Sequence, residues 1–283
     1  MFKKVLAATA RPLECDECVL SASFIAQFYN AKLLILHVLE SNTSIYRNYV
    51  KHYRTGKEIV GDVFYQDEVK AELAKNCRSD LPPALKYEIR IASGVPWMEI
   101  LKWAREESVD LIILGAHTGR ANRQGKAAAR EAVGSTAEGV IKHERCPVMI
   151  ASKPIPKSKV IFDKIMVSID FSPSCTSAFQ FALDLAQKRG SKLYLFHMLP
   201  VPPQPEYTQT RYETDIRNIK QRLQEEFGNQ ISETIKTEIG SWGGVFPDIE
   251  ILKFARRNDI DLIVMGSHTK IKGKLQEARW YVG

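Results

Sequence analysis

The chain carries most of its sequence pattern twice. Phe2-Lys3-Lys4-Val5-Leu6-Ala7-Ala8-Thr9 near the start is answered by Phe162-Asp163-Lys164-Ile165-Met166-Val167-Ser168-Ile169. Lys32–Val38 is answered by Lys192–Met198, and Asp110–Thr118 by Asp261–Thr269. Spacing between paired segments is nearly constant, so this is a duplicated domain and not a solenoid of short units. With 283 residues and 45% hydrophobic content, the chain can fill two cores in domains of about 140 residues each. In both copies short, nearly continuous apolar runs alternate with longer stretches of helical period. That alternation predicts an α/β fold: two tandem domains, each an open five-stranded parallel sheet with helices on both faces.

In the first copy, strands are expected near 3–9, 32–38, 86–92, 110–114 and 147–151, with helices near 13–29, 60–79, 96–107 and 134–144. The second copy places strands near 162–169, 192–198, 234–239 and 261–265, with helices near 173–189, 210–228 and 246–257. Ser172-Pro173 starts a helix with a capping hydroxyl followed by proline. Residues 153–159, polar and proline-bearing, read as a linker between a first domain at 1–152 and a second at 160–283. Measured against the first copy, the second is expected to continue past Gly283 with one more helix and strand.

Composition narrows the function classes. A net charge of +7 with a pI near 9.1 favours anionic partners, but no aromatic-and-basic nucleic-acid module appears, so nucleic acid is not the expected ligand. No apolar run approaches the roughly 18 residues of a membrane helix. Met1–Val5 lacks a signal-peptide layout, and five scattered cysteines make a poor disulfide framework, so the cytoplasm is the expected compartment. Gly-x-Ser-x-Gly, His-Glu-x-x-His and complete Walker patterns are absent, which removes support for the corresponding hydrolase, zinc-protease and P-loop chemistries.

Ligands of open parallel sheets sit beyond the carboxyl ends of the strands. Two loops in each copy therefore stand out: Ala10-Arg11-Pro12 and Asp170-Phe171-Ser172-Pro173 after the first strands, Gly115–Thr118 and Gly266–Thr269 after the fourth. A glycine there lets backbone amides approach an anion without a Cβ in the way. Gly134-Ser135-Thr136 then opens a helix whose free amides suit phosphate.

These segments resemble the universal stress protein family across essentially the whole chain. The resemblance lies in Val167–Asp170, strands ending Leu-His-Val or Phe-His-Met, Gly94-Val95-Pro96, Asp-Leu-Ile-x-x-Gly-x-His, and Gly134–Ile150. It implies a five-stranded parallel α/β sheet and, as in some members, binding of ATP or AMP. The family's nucleotide motif is glycine, two residues, glycine, nine residues, then glycine with serine or threonine. By that resemblance the cofactor-binding residues are Asp170 for base or ribose, Gly266, Ser267 and His268 in one copy, and Gly115, His117, Gly119, Gly134, Ser135 and Thr136 in the other. It further implies a pairing of the two copies as a pseudo-dimer within the chain, with a homodimer as a further assembly.

The chain departs from that pattern. Thr118 and Thr269 stand where the second glycine belongs, and Gly119 comes one place late. Ala10 replaces the base-contacting aspartate in the first copy. The following loops are longer and basic, with Arg120, Arg123, Lys126 and Arg130 in one and Lys270, Lys272, Lys274 and Arg279 in the other. Side-chain cations of that kind can bind phosphate or lie solvated. Cys15 and Cys18 fit either a redox pair or structural positions. His37 and His197 end equivalent strands and read as structural. No catalytic residues and no metal ligands are assigned. The leading expectation is non-catalytic adenine-nucleotide binding in a stress or regulatory response. Its alternatives are an interaction module docking a partner through the basic loops, and a slow ATPase or phosphotransferase.

Overall fold

A computed structural model describes residues 2–13, 15–44, 47–116, 134–151, 162–201 and 208–267. His117, Gly119, His268, the linker and both basic loops lie outside the described residues. The chain divides into two compact units, Met1–Val160 and Ile161–Gly283.

In unit 1 the elements run β1 (Lys4–Thr9), α1 (Glu17–Tyr29), β2 (Lys32–Ser44), β3 (Arg47–Lys51), β4 (Glu58–Val60), α2 (Val63–Arg78), β5 (Tyr87–Gly94), α3 (Pro96–Glu106), β6 (Leu111–Gly115), α4 (Ser135–His143) and β7 (Val148–Ala151). Five strands pair in parallel in the order β5-β2-β1-β6-β7. Successive strand residues face opposite sides, so each strand feeds two cores. Leu6, Leu34, Leu36, Ile112 and Leu114 pack with α3 and α4. Val5, Ala7, Leu33, Ile35 and Ile113, all buried, face the side covered by α1 and α2.

Two features of unit 1 differ from the sequence expectation. First, β2 outruns its parallel partners, and its end, Ser41–Ser44, pairs antiparallel with β3, which pairs in turn with β4. The helix expected from residue 60 therefore begins at Val63. Asp62 caps it by accepting from Tyr65 N, and a Cβ on Gly61 would meet Val50 at 2.6 Å, so this residue admits the strand only as glycine. Second, the helix expected from residue 13 begins at Glu17, because Pro12-Leu13-Glu14-Cys15 offers no capping side chain before Asp16, which accepts from Val19 N.

Unit 2 runs β8 (Lys164–Ser168), α5 (Pro173–Arg189), β9 (Lys192–Pro200), α6 (Gln209–Glu226), β10 (Thr237–Gly244), α7 (Pro247–Asn258) and β11 (Leu262–Met265). Its four described strands are parallel in the order β10-β9-β8-β11. Met166, Tyr194, Phe196 and Phe254 form the core under α7. Helix ends repeat between units: Asn30 (φ 52°) closes α1 and Gly190 (φ 70°) closes α5, both left-handed positions that asparagine and glycine tolerate.

Candidate functional site

A crevice of about 970 Å³ opens at the carboxyl edge of the unit 1 sheet. Its floor is the end of β1. Thr9 Oγ1 donates to Asp16 Oδ2 at 2.6 Å and accepts from Arg11 N at 3.0 Å. Asp16 Oδ1 accepts from Val19 N at 3.2 Å and from the Cys18 thiol at 3.0 Å. Burial pushes the Asp16 carboxyl above the usual carboxylate range, against the Cys18 and Thr9 hydrogen bonds. Beside it His37 Nδ1 donates to the Thr9 carbonyl at 2.9 Å. Burial lowers the His37 pKa, so the ring is neutral, with its proton on Nδ1.

The roof comes from two glycine positions. Gly115 ends β6, and Gly134 caps α4 with no side-chain hydrogen bond. Among the described residues, a Cβ on either would meet nothing within 4 Å. Glu138 N bonds to Gly134 O, which leaves the amides of Ser135, Thr136 and Ala137 without helical partners at the crevice. Packing fixes where α4 starts. Gly139 lies against Trp97 so closely that a Cβ would sit 2.7 Å from its Cγ, and Trp97 stacks on His143 at 4.9 Å.

One wall has no counterpart in the sequence expectation. His52, Tyr53 and Gly56, in the turn between β3 and β4, border the crevice together with Lys51, whose ammonium lies 3.6 Å from Glu40. The His52 and Tyr53 rings are parallel to within 6° at 5.2 Å.

The same corner of unit 2 is built differently. His197 Nδ1 donates to Ile169 O at 2.8 Å, as His37 does to Thr9. Above it, however, stands Phe171, in a left-handed conformation (φ 59°) that a bulky residue adopts at a cost of about 1 kcal/mol. Its ring lies 5.0 Å from that of His197, and the Arg222 guanidinium covers it at 3.8 Å. Asp170 is exposed, and its Oδ1 accepts from Ser172 N at 2.9 Å and from Ser172 Oγ at 2.6 Å. A Cβ on Gly266 would meet Cys175 N at 2.8 Å, so the first turn of α5 packs directly on this glycine. Ser267 beside it is buried.

Of the predicted residues, Gly115, Gly134, Ser135 and Thr136 thus gather at one crevice, whereas Asp170, Gly266 and Ser267 belong to the corresponding corner of unit 2, where α5 packs against Gly266. Sequence reasoning missed Asp16, His52 and Tyr53. Asp16 carried a signal, being the first good capping residue before an apolar helical run. The two aromatics carried none, since no paired segment exists in the second copy.

Cys15, Cys18 and Cys175 sit where the protonated thiol is favoured. A hydrogen bond with Cys77, followed by burial, pushes the Cys15 thiol up, and burial does the same for Cys18. Cys175 is pushed up by burial to about 11. Cys18 donates to Asp16, so the pair Cys15–Cys18 is structural in its contacts. Among the described residues no three His, Cys, Asp or Glu side chains converge to hold a metal ion, and no helix is long and apolar enough to cross a membrane.

Two α/β units in tandem, each a parallel sheet covered by helices, define the class of protein. The chain belongs to the universal stress protein family, which matches it twice, over residues 1–152 and 161–278. Universal stress protein MJ0531 of Methanocaldococcus jannaschii is 26% identical over 155 residues, covering 54% of this chain and 84% of that protein. Universal stress protein MJ0577 of the same organism is 33% identical over 98 residues, 31% of this chain and 56% of that protein. A crystal structure of a universal stress protein from Archaeoglobus fulgidus shares the fold, with a TM-score of 0.58 at 20% identity over 92% of this chain and 83% of that one.

Proposed function

We propose that the chain is a non-catalytic, cytoplasmic binder of an adenine nucleotide, ATP or AMP, acting in a stress or regulatory response through the crevice of unit 1. The observation that carries this reading is the convergence of Gly115 with the helix-start amides of Ser135 and Thr136, which have no partner within α4, on one cavity. Backbone amides at a helix start bind phosphate oxygens with help from the helix dipole. A cavity of about 970 Å³ lies at the upper end of the range for small-ligand pockets, a size compatible with a nucleotide. At the end of β1 the crevice presents a buried carboxyl already engaged by Thr9 and a histidine held by the Thr9 carbonyl. Neither of these two is poised on a nucleophile, which supports binding without turnover.

Isothermal titration with ATP and AMP tests the reading. The wild-type chain is expected to bind at least one of them, and Ser135→Glu to weaken that binding about tenfold or more by placing a carboxylate where the phosphates sit. Ser135 is exposed and opens a helix, where an acidic residue is tolerated, so the variant is expected to fold normally. Failure of the wild-type protein to bind either nucleotide would remove the proposal.

A further inference from the structure

The turn between β3 and β4 is an addition of unit 1: in the described part of unit 2, β9 pairs only with parallel neighbours. The addition is firmly held. Val50 and Tyr65 are buried with Leu39 and Val69, and Tyr53 and Ile59 pack on that cluster. Tyr65 Oη accepts from Tyr53 N at 2.9 Å. His52 closes the turn on itself: its N donates to Lys57 O and its O accepts from Gly56 N, both at 2.8 Å. Gly56 takes a left-handed φ of 71° there. His52 Nδ1 accepts from Arg54 N at 3.2 Å and from Thr55 N at 3.4 Å, which places the ring proton on Nε2.

The result is a preorganised aromatic surface. His52 lies parallel to Tyr53 and 5.4 Å from Tyr65, and Tyr53 stacks on Tyr65 at 6.1 Å. His52 and Tyr53 border the crevice that the α4 amides also reach. At the end of β1, meanwhile, Ala10 offers no polar side chain to a ligand. We propose that the His52–Gly56 turn is the specificity-determining wall of this crevice, with His52 and Tyr53 receiving the heteroaromatic base of a nucleotide by stacking and through the His52 Nε2–H donor. This rests on the nucleotide reading above and assigns base recognition to a segment outside the duplicated framework. A rigid aromatic wall costs little ordering on binding, and every nucleobase presents a π-face to it.

Titration with AMP and with ribose 5-phosphate, which lacks the base, separates the two claims. The wild-type chain is expected to prefer AMP by about tenfold or more, the scale of one base stacked on an aromatic side chain. His52→Ala combined with Tyr53→Ala should abolish that preference while leaving ribose 5-phosphate binding in place, and Tyr53→Phe should restore most of it relative to Tyr53→Ala. Independently of any variant, AMP should shift the ring-proton NMR resonances of His52 and Tyr53 in the wild-type protein. Unmoved resonances with AMP bound, or an unchanged AMP preference in a double variant of native circular dichroism, would overturn the wall and leave nucleotide binding standing. Absence of AMP and ATP binding altogether would overturn both.

Discussion

At the scale of single residues, the two strand-end histidines set a pH response. Burial favours the neutral form of each, against the opposing effect of the hydrogen bond that Nδ1–H donates to a carbonyl. Below the ordinary value of 6.5, the unfolded chain takes up protons that the folded chain refuses, so stability present above that value falls as pH drops. Asp16 acts in the opposite sense: its raised pKa favours the folded state as pH falls toward its ordinary value of 3.8. Urea midpoints measured between pH 7.5 and 5.5 are expected to decline for the wild type and to decline less for His37→Gln, which keeps a donor for the Thr9 carbonyl without a titrating ring. Equal slopes for the two proteins would show that His37 does not carry the effect. The functional residues themselves were only partly legible. Glycines at strand and helix ends announce themselves by type, but Phe171 looked like any loop residue. What distinguishes the corner of unit 2 is its left-handed backbone and its sandwich between His197 and Arg222, which no spacing rule reveals.

At the scale of elements, the parallel strands and their helices fell close to their expected places because strands buried on both faces are written as unbroken apolar runs. The β3–β4 addition was not legible for the converse reason. Glu40-Ser41-Asn42-Thr43-Ser44 is polar throughout, and Glu58-Ile59-Val60 is too short to show a period. Helix α4 shows how one contact controls the site. Gly139 lets the helix lie directly on Trp97 while its N-terminal amides border the crevice. Gly139→Ala would bring a methyl to 2.7 Å from Trp97 Cγ and 2.9 Å from its Cβ, a conflict that the bulky ring cannot relieve by bending. A loss of about 1–3 kcal/mol in denaturant unfolding is expected, accompanied by weaker nucleotide binding as the helix start is displaced. Native stability with unaltered binding would mean that α4 can move without cost.

For the whole molecule, duplication of the sequence does not imply duplication of the site. Among the described residues, unit 1 has a crevice beside Gly115 and His37, whereas in unit 2 the first turn of α5 abuts Gly266 and Phe171 stands against His197. One nucleotide per chain is therefore the expected stoichiometry, readable by native mass spectrometry or from the titration endpoint; two per chain would show that the unit 2 corner admits ligand after all. This inequality traces to a single shift in where a helix begins. Pro173 opens α5 directly behind the Ser172 cap, while α1 waits a full turn longer for Asp16. Yet as many residues separate Thr9 from Asn30 as separate Ile169 from Gly190. Over this stretch no insertion or deletion was needed, so sister segments of equal length can seat their first helix one turn apart by exchanging side chains alone, and a gap-free alignment there conceals the shift.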